Sequence, residues 1–486
     1  MTGPQPPARV SRFSPSRAWL LLLSACSAPE VGPEPQGLTT EPCHVSRVRA
    51  ETRCATLDVP EDPSAPGGRS LRLGIVRIPA VRPSPDAEPV YFLPGGPGIA
   101  GSEKMVFKLR DLMRAHETRD LIVVDHRGTG RSNELDCETE ALPGDLDDAE
   151  LQTLLTTCLA GLEADVTQYT SANAVRDLEA VREAFGHDRV SVYATSYGSR
   201  LAQRWAAAHP ERIGAMVLDG ASPLDAPVGP DLTRYSARAL EALYTDCADD
   251  PACAAAFPDG LTGALTLLDS LSEPSTVRYR HAHHGGEQEA RIDRDLVARR
   301  LSFVLQLTRM SPLIPAAVRD ASRGNWTPLL AQGSMLRDLA LETTDQAARL
   351  SVLCTEDVPR YPAHAADTWL GDAVLDAFRR PCAFWPVGPM PELPTSWEAV
   401  TAPVLVLSGE HDPRNPPEHG EAVAAKFPNA RHVVVPGFAH GVSSAGCVSD
   451  RMLDVWNGVP LDALELDCLD DLSRQPFVLS ATGTAP

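Results

Sequence analysis

Lysine is nearly absent from this chain of 486 residues, and arginine carries almost all of its positive charge. That charge is outweighed: 44 Lys and Arg stand against 65 Asp and Glu, a net charge of −21. Such a balance argues against nucleic acid as a partner and against electrostatic attachment to an anionic membrane surface; solubility accounts for it. The spacing C-x-x-C is missing, so neither a zinc knuckle nor a thioredoxin-like site is expected. Long apolar runs are missing too. The one notable run, Ala18-Trp19-Leu20-Leu21-Leu22-Leu23, is too short to cross a bilayer as a helix, and no spanning helix is expected. Nothing repeats internally.

What is there begins with an export signal. Arg9, Arg12 and Arg17 precede the apolar run, which ends in Leu23-Ser24-Ala25-Cys26. A large aliphatic residue, two small ones and a cysteine resemble a bacterial lipoprotein signal, which implies that Cys26 is lipidated and that the lipid is the chain's only link to a membrane. An ordinary secretory signal is the alternative. With Cys26 set aside, Cys43, Cys54, Cys137, Cys158, Cys247, Cys253, Cys354, Cys382, Cys447 and Cys468 remain. An even set in an exported chain suggests disulfides. Spacing does not decide connectivity; pairing of sequence neighbours is the most economical arrangement.

Residues 27–42 are rich in Pro, Gly, Glu and Thr and read as a tether. Beyond them 71–78 looks like an early strand, 89–93 and 121–125 are short continuous apolar runs of the kind that form buried parallel strands, and further strands follow at 191–195 and 215–219. A helix is expected over 172–185, capped by Thr170 or Ser171, striped by Val175, Leu178, Val181 and Phe185, and stopped by Gly186. Strands alternating with helices imply a mostly parallel sheet covered on both faces. The rhythm breaks at 224–397, where helical patterns dominate, and resumes with strands at 403–408 and 430–436.

The stretch Ser191-Val192-Tyr193-Ala194-Thr195-Ser196-Tyr197-Gly198-Ser199 organises the chain. Strand, sharp turn and helix are the setting that a nucleophile elbow requires, with small residues, here Ala194 and Gly198, two places either side of the serine. A serine hydroxyl needs a base to take its proton and an acid to orient that base. Asp412, in Gly409-Glu410-His411-Asp412-Pro413, and His440, in Gly437-Phe438-Ala439-His440-Gly441, each stand just past a strand. Sites in α/β sheets form at such ends, and the order Ser, Asp, His is that of α/β-hydrolases. An oxyanion hole needs main-chain N–H groups. Tyr197, directly after the serine, and Gly95 and Gly96, in the turn Gly95-Gly96-Pro97-Gly98, are the candidates.

These motifs, together with Asp-x-Arg-Gly-x-Gly-x-Ser at 125–132, Ser-Tyr-Gly-Ser at 196–199 and Ala-His-Gly at 439–441, resemble the proline iminopeptidase and tripeptidyl aminopeptidase family of serine peptidases. The likeness runs from about Cys43 to Cys468, and the stretch from Cys447 through Gly458-Val459-Pro460 to Cys468 resembles the C-terminal module of the tripeptidyl aminopeptidases. Pro94 stands where members often carry His, and Ala194 replaces the first elbow glycine. The resemblance implies an α/β-hydrolase fold with an inserted, mainly helical lid: signal at 1–26, tether at 27–42, core at 43–223, lid at 224–397, core again at 398–470 and tail at 471–486. It implies Ser196, Asp412 and His440 as a triad working through an acyl-enzyme without cofactor or metal, on a peptide with a free N-terminus. Relatives hold the free amine with lid carboxylates; Glu356 and Asp357 are the candidates. Asp125 and Arg127 are expected to fix a loop, and His281, His283 and His284 to lie on a solvated loop. An esterase or amidase on the same fold, or a catalytically silent binding lipoprotein, are the alternatives.

Overall fold

The computed structural model describes residues 37–135, 137, 146–281, 284–333 and 344–480. The apolar run at 18–23, Cys26 and His283 lie outside the described residues. In chain order the strands are β1 (Glu41–Pro42), β2 (Arg53–Pro60), β3 (Ser70–Ile78), β4 (Val90–Leu93), β5 (Leu121–Val124), β6 (Val190–Thr195), β7 (Ile213–Asp219), β8 (Ser275–Arg280), β9 (Glu287–Ile292), β10 (Val404–Gly409) and β11 (Ala430–Val435). All but β8 and β9, which pair as a separate hairpin, form one sheet in the order β1-β2-β3-β5-β4-β6-β7-β10-β11. From β5 to β11 in that order neighbours run parallel, while β1, β2, β3 and β5 pair antiparallel. The continuous apolar runs become the parallel strands because both of their faces are covered: every residue of β4, β5 and β10 is buried.

On one face, α1 (Gly101–His116) and the helix Val448–Trp456 bring Leu112, Ala115, Met452 and Val455 against Phe92, Val123, Tyr193 and Leu405. On the other, α2 (Asp148–Gly161), α3 (Ser171–Phe185) and α4 (Tyr197–Ala208) bring Leu155, Leu178, Val181, Leu201 and Trp205 against Tyr91, Ile122, Val192 and Val406. Helix α3 starts and stops where its caps predict: Thr170 Oγ1 accepts from the Asn173 amide at 3.3 Å, and Gly186 closes the helix at φ +71°.

The insertion has a core of its own. Helix α5 (Pro230–Asp249) and the helices Arg294–Leu305, Ile314–Ser322 and Ala373–Cys382 join Leu240, Leu243, Leu301, Val304 and Phe378 in one cluster. Two boundaries differ from the sequence reading. Packing starts before Cys43: Thr40 is buried and takes two hydrogen bonds from the Arg53 guanidinium, at 2.9 and 2.7 Å. The patternless tail packs on the insertion: Phe477 is buried in its cluster, Arg474 bonds Asp246 at 2.6 Å, the Val478 amide donates to the Pro312 carbonyl, and Arg319 donates to the Leu479 carbonyl. Disulfides join Cys43–Cys54, Cys137–Cys158, Cys247–Cys253, Cys354–Cys382 and Cys447–Cys468.

Candidate active site

Parallel strands bring their carboxyl ends to one edge of a sheet. At that edge β4 runs into Gly95, β6 into Ser196, β7 into Gly220, β10 into the Asp412 loop and β11 into the His440 loop. Ser196 sits at φ +51°, ψ −121°, a region that non-glycine residues rarely occupy. Such a conformation costs about 1–3 kcal/mol and persists only when its surroundings hold it. Three contacts do so. The Ser196 amide donates to the Asp219 carbonyl at 3.0 Å, the Ser199 hydroxyl donates to the Ser196 carbonyl at 2.6 Å, and the Ser222 amide donates to that same hydroxyl at 2.9 Å. Gly198 is required by close approach: a Cβ there would lie 2.3 Å from the Leu93 carbonyl oxygen.

His440 Nδ1 lies 2.7 Å from Asp412 Oδ2. The other carboxylate oxygen accepts from the amides of Arg414 (2.8 Å) and Asn415 (3.0 Å), so the acid is fixed at both ends. With Nδ1 donating to the carboxylate, the second ring nitrogen of His440 is left as an acceptor. The contacts are continuous around the site. A Cβ on Gly95 would lie 3.1 Å from Ser196 Cβ, and a Cβ on Gly220 would lie 3.0 Å from His440 Cε1. Asn415 Nδ2 donates to the Gly220 carbonyl at 2.8 Å, tying the Asp412 loop to the end of β7. Tyr197 opens α4, and the first amides of a helix have no acceptor within it, so its N–H is available beside Ser196.

Behind His440, Asp219 is fully buried and accepts from the amides of Val442 (2.8 Å) and Ser443 (3.2 Å) and from the Tyr193 hydroxyl (3.0 Å), with Lys108 at 3.5 Å. Burial alone would raise its pKa, but Lys108, the Val442 amide and Tyr193 outweigh that and hold it below the ordinary range. The sequence reading passed over Asp219, because an Asp ending a strand carries no signal of its partners 223 residues away.

Glu356 and Asp357 lie together on a π-helical turn, Leu353–Asp357, and both are buried. Their surroundings differ. Asp357 accepts from Arg200 (2.9 and 3.2 Å), Arg360 (3.2 Å) and the Val228 amide (3.0 Å). Among the described residues the Glu356 carboxylate accepts from neutral donors, the Ser171 amide and hydroxyl, each at 2.6 Å. Its charge bears on the phenol of Tyr197, whose pKa is raised well above normal by burial first and by Glu356 next. Asp125 takes the Ser102 amide and hydroxyl and the Arg131 amide; Arg127 makes a two-pronged pair with Asp177 and donates to the Glu61 and Gln168 carbonyls. Both therefore hold the loop at 126–132 in place. His281 and His284 stack at 4.2 Å on the β8–β9 turn, and among the described residues no cluster has the makings of a metal site. A cleft of about 810 Å³ between Pro403, Arg431 and Asp462 opens at the opposite edge of the sheet and touches none of these groups.

Residues 88–246 match the family described as alpha/beta hydrolase fold, and residues 367–455 match the family described as TAP-like protein. The chain has the α/β-hydrolase fold. This α/β-hydrolase is 26% identical to the serine protease Hip1 of Mycobacterium tuberculosis over 81% of its own length and 85% of that protein's. It is 23% identical to the tripeptidyl aminopeptidase of Streptomyces lividans, over 87% and 85% of the two chains. Over a shorter stretch, 28% of this chain and 34% of the other, it is 32% identical to the proline iminopeptidase of Neisseria gonorrhoeae. These relations put the α/β-hydrolase among the serine hydrolases of its superfamily, with homology to peptidases.

Proposed function

We propose that this α/β-hydrolase is a peptidase that removes residues from free N-termini, with Ser196 as nucleophile, His440 as base and Asp412 as the acid that orients it. The observation that carries the reading is the 2.7 Å His440–Asp412 bond beside a serine held at positive φ on an elbow. His440 takes the hydroxyl proton as Ser196 attacks the scissile carbonyl, then hands it to the departing amine; water enters by the reverse path and releases the acyl group. The N–H groups of Tyr197 and of Gly95 or Gly96 face the developing oxyanion. Glu356 anchors the substrate amine. Its carboxylate is buried, and among the described residues its hydrogen bonds come from the Ser171 amide and hydroxyl; Arg200 and Arg204 act on it only through space, so an incoming ammonium adds a directly bonded cation. The homology to an aminopeptidase and an iminopeptidase supports the same reading. The protein acts after export, tethered through a lipid on Cys26; the disulfides support an oxidising compartment, and intact-mass measurement of exported protein tests the lipid.

The test pairs one peptide with free and acetylated amine. Wild type should prefer the free form by roughly ten- to a hundredfold in kcat/KM. Ser196→Ala should lose at least about three orders of magnitude in rate and lose labelling by a fluorophosphonate, while keeping its fold. Equal rates on the two peptides would replace the aminopeptidase with an esterase or amidase. Undiminished turnover by Ser196→Ala would remove the nucleophile.

A further inference from the structure

Acids outnumber bases in this chain, 65 to 44, and the arginines buried around the site are paired: Arg127 with Asp177, Arg200 and Arg360 with Asp357. Two are not. Arg349, on the helix Gln346–Val352, and Arg414, in the loop after Asp412, are partly buried, and among the described residues neither forms an ion pair. Both flank the site. Arg349 packs against the glycine turn: a Cβ on Gly98, itself at φ +84°, would lie 2.7 Å from Arg349 Cβ. Arg414 donates its amide to Asp412 and its Nε to the Gln306 side-chain oxygen, and the Gln306 backbone carbonyl accepts from the His440 amide at 3.1 Å. Each guanidinium lies over a ring from the insertion, Arg349 at 5.1 Å from Phe378 and Arg414 at 5.9 Å from Phe303. A ring contact does not use up N–H donors, so apart from the Nε that Arg414 gives to Gln306 the guanidinium N–H groups remain for another partner.

We propose that Arg349 and Arg414 together receive a carboxylate of the substrate beside Ser196 and His440. This rests on the preceding reading of that site as the place of hydrolysis. Two partly desolvated cations without a bonded anion are unfavourable, although Asp412 offsets Arg414 in part through space, and a carboxylate relieves both at once through charge-assisted, two-pronged bonds. Burial first and the charge of Arg414 second push Arg349 down to about 10, so it keeps its proton at neutral pH. The carboxylate comes either from an acidic side chain next to the scissile bond or from the C-terminus of a short peptide. Either places a negative group at the far end of a substrate whose positive amine sits at Glu356.

Two matched pairs of peptides separate the sources: Glu against Gln beside the scissile bond, and a free C-terminus against its amide. In wild type one pair should show a preference for the charged member of roughly ten- to a hundredfold in kcat/KM. The ratio is the readout, not the absolute rate. Arg349→Gln and Arg414→Gln should each pull it toward one, the double variant should abolish it, and Arg349→Lys should retain part of it. Calorimetric binding of the same peptides to Ser196→Ala protein repeats the comparison without turnover. A wild type indifferent to both pairs, or a preference that survives the double variant, overturns the proposal. A charge preference in binding with no hydrolysis of any peptide would keep the receptor and remove the peptidase.

Discussion

Asp357→Asn separates a structural carboxylate from a substrate-binding one standing next to it. The substitution keeps shape and removes charge. In the native protein Asp357 is inaccessible and takes two contacts from Arg200 at 2.9 and 3.2 Å, one from Arg360 at 3.2 Å and one from the Val228 amide at 3.0 Å. Arg200 has a side chain only 3% exposed, so once Asp357 is neutral its charge keeps no directly bonded anion and is offset only through space by Glu356. Breaking a buried pair from one side typically costs 3–5 kcal/mol; because Asn still offers one acceptor, about 3 kcal/mol is expected. Arg360, 23% exposed, adds little because solvent screens it. Urea unfolding followed by tryptophan fluorescence, with the disulfides kept oxidised, should show the midpoint falling at unchanged slope. Glu356→Gln should behave in the opposite way. Its amide oxygen still accepts from Ser171, so stability falls by about 1 kcal/mol, while the preference for a free amine is lost. The folded fraction of Asp357→Asn should keep that preference. Stability within about 1 kcal/mol of wild type for Asp357→Asn would refute the energetic reasoning. Loss of amine preference at intact stability would move the anchor to Asp357.

Gly198→Ala should abolish activity and destabilise the elbow, because the added Cβ would meet the Leu93 and Pro94 carbonyl oxygens at 2.3 and 2.6 Å; Ser199→Ala, which removes two of the elbow's hydrogen bonds but introduces no clash, should be the milder change in both kcat and melting temperature. Acid should weaken the fold through His126 and His187, both pushed down to about 4 by burial. The unfolded chain takes up their protons below about 6.5 and the folded chain does not, so stability falls as the pH drops from about 6.5 toward 4. Unfolding free energies across that window should slope less in His187→Asn than in wild type, and a slope unaffected by the change would assign the acid sensitivity elsewhere.

Much of the fold was legible because its signals are local. The runs that became β4 and β5 are apolar throughout and those of β6 and β10 largely so, as suits strands covered on both faces, and α3 carries its own start and stop in Thr170 and Gly186. The positions of Ser196, Asp412 and His440 at strand ends were legible for the same reason. What was not legible is pairing over distance. Glu356 and Asp357 look alike in sequence; Ser171, 185 residues away, and Arg200, 157 away, make them different. The antiparallel pairing of β1 and β2 escaped notice because an edge strand alternates weakly, and residues 474–479 show no period because they are held by single contacts instead of a repeating face.

That last segment changes what kind of part the insertion is. A lid joined to its core only where the chain enters and leaves can swing like a door on two hinges. Here a strap from beyond the second half of the core crosses it, with Arg474 on Asp246, Val478 on Pro312, Leu479 under Arg319 and Phe477 sunk among its helices. Any outward swing must break these attachments together. The lid behaves as a panel fastened along a third side, and a cut in the strap, far in sequence from Ser196, would alter access to the site without touching a residue in it.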